Sequence, residues 1–227
     1  MAKRPVFSIS KDGATLLEIH EVEFQWHAGM AMSQRQKSMR SLHSAISDVW
    51  PDRRILEVSR MSDNPIGTEL SAFNLMLMLP DIGNVPLECA FQASKVFECG
   101  GPYVELLHVS PADAKRDPRL KNSGRLVRFH LFNHDWPLEP PTAFYDWIYI
   151  RALYRTPRLA EAVQAFDTFT DIAFNPEKSI NCQARAVALF VALSKRGILE
   201  DALGSFKKFV AYETNAERTF SDQPKLF

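Results

Sequence analysis

The chain has 227 residues, 46% hydrophobic and 24% charged, with 27 basic and 27 acidic side chains and so no net charge. That size and mixture suit one globular core, and zero net charge removes any global field drawing the protein to nucleic acid or a membrane surface. The longest apolar runs, near 184–193 and 75–79, are too short to span a bilayer. Residues 1–5 lack the apolar stretch of a signal peptide, and Cys89, Cys99 and Cys182 fit neither a disulfide framework nor a zinc spacing. A cytoplasmic protein is expected.

Residues 6–9 and 16–26 are extended in character, Glu18, His20, Val22, Phe24 and Trp26 alternating with Ile19, Glu21, Glu23 and Gln25. Gly29 ends that pattern. Ser33 is placed to cap a helix over 34–49, whose apolar stripe is Met39, Leu42, Ala45, Ile46 and Val49. Arg35, Lys37 and Arg40 fall on its exposed side, and His43 beside the stripe reads as a hydrogen-bonded partner rather than a ligand. A short strand is expected over 54–59, followed by a polar loop with Asn64-Pro65 and Gly67. Residues 70–79 are apolar and stop at Pro80, with a turn over 81–84.

Residues 86–97 read as a helix opened by Pro86, whose missing N–H has no intrahelical partner in a first turn. At about 100° per residue, Cys89, Ala90, Ala93, Val96 and Phe97 share an apolar side, while Glu88, Gln92 and Lys95 line the other. A carboxylate, an amide and an amine in one frame can hold a polar ligand; the same spacing also describes a solvated face. Gly100-Gly101 reads as the terminator, and Ser110-Pro111-Ala112-Asp113 as a capped helix start. Lys115, Arg116, Arg119, Lys121, Arg125 and Arg128 stand against the single acid Asp117, a run that suits a solvated face or a phosphate track. The C-terminal third reads as helical throughout. It has a helix over 144–154, a segment opened by Pro157, a buried apolar helix over 179–195 ended by Gly197, and an amphipathic helix over 199–210. The tail after Glu213 is polar and expected to fray. No Gly-rich phosphate loop, nucleophile elbow or His-x-Glu zinc pattern occurs.

Four segments carry a family resemblance. Leu70-Ser71-Ala72-Phe73-Asn74 looks like an "LSNF" motif, and residues 85–97 look like "YPSxEHxxQAxKF". Residues 109–116 are similar to "ASPxEAKR", and Asp146-Trp147 with Arg151 to "DWxxxK". In these pieces, over 55–197, the chain resembles the NADAR (YbiA-like) superfamily. Cys89 stands where that family usually has His, and its later "WGxG" and "NxLG" segments are not recognisable. The stretches 23–38 and 175–184 are similar to the branch encoded beside DarT-type toxins.

The resemblance implies an α+β fold, predominantly helical: a single YbiA-like domain over 55–212 with a few short strands and a buried C-terminal helix. An N-terminal extension, 1–54, would pack on it, and 213–227 would be a polar tail. It implies an N-glycosidase that removes ADP-ribose from guanine bases in DNA, as antitoxin to a DarT-type DNA ADP-ribosyltransferase. Under it Glu88 and Lys95 are catalytic, Glu88 stabilising oxocarbenium character at the ribose or acting as general base, Lys95 as nucleophile or phosphate anchor. Arg60, Asn74, Gln92, Asp146 and Trp147 bind substrate, with Trp147 or Phe91 able to stack on a base, and Arg119, Arg125 and Arg128 contact nucleic acid. No cofactor or metal is expected. The partners expected are ADP-ribosylated, single-stranded DNA and the toxin itself, with no membrane. A glycosidase of a ribosylamino pyrimidine phosphate, and a non-catalytic antitoxin that binds ADP-ribose or the toxin, are the alternatives.

Overall fold

The computed structural model describes residues 1–11, 14–29, 31–177, 179–214 and 216–220. Met30, Lys178 and the end of the expected polar tail, beyond 220, lie outside the described residues.

A five-stranded sheet, in the order β10-β2-β1-β9-β3, organises the molecule. β1 (Ala2–Ile9) and β2 (Leu17–Phe24) form an antiparallel pair, and β1 also pairs with β9 (Thr168–Thr170). β3 (Ile55–Glu57) runs parallel to β9, and β10 (Glu217–Phe220) parallel to β2. Alternation divides the strands between two layers. Val6, Val22 and Phe24 pack with Met39, Leu42 and Ile46 of α1 (Met32–Val49), whereas Phe7 and Leu17 join the main core. The fully buried run from Ala184 to Leu193 in α8 (Gln183–Lys195) fills the centre of that core. Residues 2–24 thus supply two central strands rather than lying on the outside of a finished domain.

A hairpin of β4 (Met76–Leu79) and β5 (Gly83–Pro86) leads directly into α3 (Leu87–Ala93). A second small sheet joins β6 (Lys95–Phe97), β7 (Leu126–Leu131) and β8 (His134–Trp136). Between β6 and β7 lie α4 (Pro111–Arg116) and α5 (Arg119–Asn122). α6 (Ala143–Tyr154) and α7 (Pro157–Ala162) precede β9, and α9 (Leu199–Leu203) and α10 (Phe206–Glu213) precede β10. α2 (Pro65–Glu69) sits against β3, where Gly67 abuts the Glu57 carbonyl and leaves no room for a side chain. Among the described residues no helix is long and apolar enough to cross a membrane.

Several expectations are corrected. The helix expected over 86–97 stops at Ala93, and Lys95, Val96 and Phe97 leave it to pair with β7. A β-branched and an aromatic residue beside a partner strand gain more from cross-strand packing than from another helical turn. The helix of α1 starts at Met32 with Ala31 as its N-cap, so Ser33 lies inside its first turn. The C-terminal third contains β9 and β10, and the helix expected over 199–210 is two, separated where the Ser205 side chain accepts from the Lys208 N–H and caps α10. Residues 217–220, expected in a frayed tail, complete the sheet.

Candidate functional site

Glu88 owes its position to the backbone beneath it. A helix leaves its first N–H groups without intrahelical partners; here Leu87 and Glu88 donate theirs to the carbonyls of Leu75 and Ala72, at 2.9 and 2.8 Å. The Ala72 N–H in turn donates to Gln183 Oε1, at 2.9 Å, tying the segment to α8. The first turn of α3 is thereby anchored beside Phe73, whose ring carries two cations. The Arg60 guanidinium lies 4.3 Å from its centroid and the Lys115 ammonium 5.5 Å.

The expected solvated face of α3 is not solvated. Glu88 is 5% and Gln92 6% exposed. Gln92 Nε2 donates to Glu88 Oε1 at 2.8 Å, and Lys115 Nζ stands 3.6 Å from the same oxygen. Gln92 Oε1 is buried without a hydrogen-bond partner. An acceptor so placed is an energetic liability until something donates to it, and it belongs to the side chain that orients the one carboxylate of the helix. Lys95, on β6, is partly buried with its ammonium 4.7 Å from the Phe91 ring. Burial lowers its pKa to about 8, with Glu88 pulling upward and Lys115 pushing further down. Cys89, in the position usually held by His, donates from Sγ to the Val109 carbonyl at 3.4 Å and fastens α3 to the approach of α4; burial and then Glu88 push its thiol up to about 11.

Lys115 reaches the site because α4 is well capped. Ser110 accepts from the Asp113 N–H at 3.2 Å, and Pro111 occupies the first turn. Behind Lys115, buried Asp171 accepts from the N–H groups of Ala173 and Phe174, at 2.9 and 3.2 Å. Burial raises Asp171 to about 6, and Lys115 is among the groups that oppose the rise. Deeper still, Glu57 accepts from Ser59 Oγ, the Ile172 N–H and Thr170 Oγ1, at 2.5, 2.8 and 2.7 Å, and His43 Nε2 lies 2.8 Å from that Thr170 oxygen. Burial pushes Glu57 up to about 8 and His43 down to about 4. Among the described residues no group of three His, Cys, Asp or Glu side chains is arranged to hold a metal ion.

The structure therefore brings Glu88, Gln92, Lys95 and Arg60 into one cluster with Lys115 and Phe73. Other expected residues sit differently. Asn74 is exposed and donates from Nδ2 to the Thr68 carbonyl at 2.8 Å. Asp146 is wholly buried and paired with Arg185; Trp147 is 3% exposed, packed on Phe206 and Phe209 with ring centroids at 5.8 and 5.4 Å. Both belong to the core, because α6 is buried on all sides from Ala143 to Ile150. Phe91, too, lies among Phe129, Phe144 and Tyr145 rather than open to a base. The basic run is matched by acids from elsewhere in the chain. Arg119 is bidentate to Asp117, at 2.9 and 2.8 Å, and also meets Glu105. Arg125 meets Glu98 at 2.9 Å, and Arg128 meets Asp135 at 3.1 Å. Lys115 and Phe73 stand in the motifs, and Gln183 in the 175–184 stretch, but only the fold shows them converging; Asp171 has no sequence signal.

A family model of NADAR proteins matches this α+β chain, and members of that superfamily are generally N-glycosidase hydrolases. More narrowly, the model of the DarT1-associated NADAR antitoxins matches residues 2–223, and the chain belongs to that family. Comparison with curated proteins found no match.

Proposed function

We propose that this antitoxin is an N-glycosidase that removes ADP-ribose from guanine bases in DNA and so reverses the modification made by a DarT-type toxin. The observation that carries the reading is the buried Glu88–Gln92 pair, with its unsatisfied amide oxygen, beside a lysine whose pKa burial lowers to about 8. Cleaving the bond between guanine nitrogen and the anomeric carbon develops positive charge on the ribose ring. Glu88, oriented by Gln92 and shielded from bulk water, stabilises that charge. Gln92 Oε1 accepts from a ribose hydroxyl. The neutral Lys95 amine attacks the anomeric carbon; the glycosidic electron pair leaves with guanine, which takes up a proton, and the amine loses one. Water then displaces the amine, releasing ADP-ribose and restoring Lys95. Arg60 and Lys115, both on the Phe73 ring, suit the pyrophosphate.

The test is incubation of the wild type and Glu88→Gln with a single-stranded oligonucleotide carrying ADP-ribosylated guanine, followed by product mass. Release of ADP-ribose by the wild type, with a loss of roughly 100-fold or more in Glu88→Gln, is the expected result. Retained release by the variant would remove Glu88 from the mechanism. Protection of cells from the toxin by a folded, inactive Glu88→Gln protein would favour a binding-only antitoxin.

A further inference from the structure

We propose that the groove between the β4–β5 hairpin and the end of α6 binds the sugar–phosphate backbone of a single polynucleotide strand; this rests on the reading that the Glu88 site takes a strand-borne substrate. The groove consists of two adjoining depressions of about 590 and 540 Å³ that share Met78 and Arg155. One wall is the outward face of the hairpin. Leu77, Leu79 and Val85 alternate into the core, which leaves Met76, Met78 and Asn84 facing out. The other wall carries Arg151, Arg155 and Arg158.

These arginines differ from those of the 115–128 run. Among the described residues the guanidinium groups of Arg151 and Arg155 meet no carboxylate, whereas Arg119, Arg125 and Arg128 each do. Arg151 is held over the Trp147 and Phe132 rings, at 5.1 and 5.8 Å, so its charge is fixed in place by aromatic contact. Burial, and then the charge of Arg155, lower its pKa. Two like charges on the last turn of α6 and its cap, close enough for Arg155 to depress Arg151, are an incomplete arrangement that successive anions along a chain would complete. Arg158 pairs with Glu69, so of the three only Arg151 and Arg155 lack a carboxylate partner among the described residues. Asp81 at the hairpin tip and Glu69 are the carboxylates of the lining.

Asn74, which lines the groove, directly follows Phe73, the residue that carries Arg60 and Lys115. A strand lying in the groove meets Arg158, Arg155 and Arg151, with Met76, Met78 and Phe132 offering polarisable and aromatic surface to its bases.

Fluorescence anisotropy with a labelled oligothymidylate at increasing salt tests the assignment. Arg155→Glu should weaken binding roughly tenfold and reduce the salt slope by about 0.7 for each phosphate no longer neutralised; Lys207→Glu, the charge-reversal control on exposed α10, should match the wild type. Unfolding curves verify that all variants are folded. Equal affinity of Arg155→Glu and wild type overturns the proposal, as does weaker binding in Arg125→Glu but not in Arg155→Glu. Retained oligonucleotide binding with failed toxin capture in Arg155→Glu also overturns it, in favour of an acidic protein segment. Because the probe is unmodified, strand binding that depends on Arg155 supports the groove even where the wild type releases no ADP-ribose, a result that would sink the glycosidase reading alone.

Discussion

Lys95 and Glu57 are both displaced to a pKa of about 8, from opposite directions, and each gives a separate pH dependence. If the Lys95 amine attacks the anomeric carbon, single-turnover release should rise with pH through about 8 as the ammonium loses its proton, and Lys95→Arg should abolish it. A rate that falls across that interval would make Lys95 a cationic anchor. Glu57 governs stability instead. Its folded pKa of about 8 lies above the ordinary 4.5, so the folded state keeps a proton that the unfolded chain releases, and stability falls as pH rises between those values. His43, lowered from 6.5 to about 4, acts in the opposite sense over its own window and is finished by 6.5. Asp171, raised from 3.8 to about 6, adds to the fall only below 6. Between pH 6.5 and 8 Glu57 therefore contributes a fall in stability, and the thermal midpoint should decline more steeply there in the wild type than in Glu57→Gln. No composition or period in the sequence points to this network, since it depends on β3, β9 and α1 meeting across more than a hundred residues of chain.

At the level of elements, the cap of α4 links local stability to the site. Ser110→Ala removes the acceptor for the Asp113 N–H and should cost about 0.5–2 kcal/mol in denaturant unfolding. It should also weaken substrate binding, because α4 carries Lys115 to Glu88. This helix is legible because capping is local chemistry: Ser, Pro and an acid within four residues state it almost completely. The same holds for the α1 stripe of Met39, Leu42 and Ile46 and for the uninterrupted burial of α8. Short strands are far less legible. β6 hides within a helical period that continues past Ala93, and β9 has three residues, too few to show alternation against a background of helices. Its identity as a strand comes from β1 and β3 on either side. The Glu88–Gln92 spacing does mark one face of a helix, but burial of that face needs the hairpin and α4 around it, and no residue in the helix announces them.

Across the whole molecule, one guanidinium ties the C-terminal elements together. Arg185 on buried α8 pairs with Asp146 of α6, Glu213 of α10 and Glu217 of β10, the second at 3.1 Å. Burial works against its charge and the three carboxylates hold it; Asp146 itself is raised by burial. Arg185→Leu leaves buried acids without their cation and should cost about 3–5 kcal/mol by denaturant unfolding. A change below about 1 kcal/mol would mean that the cluster is solvated.

The parallel pairing of β10 with β2 has a consequence for the order in which the protein is made. β2 leaves the ribosome early, and the strand that covers its outer edge comes almost two hundred residues later. Throughout that interval the N-terminal hairpin presents a row of unpaired amides and carbonyls to whatever strand is near. Only with β10 in place is that outer edge of the sheet closed.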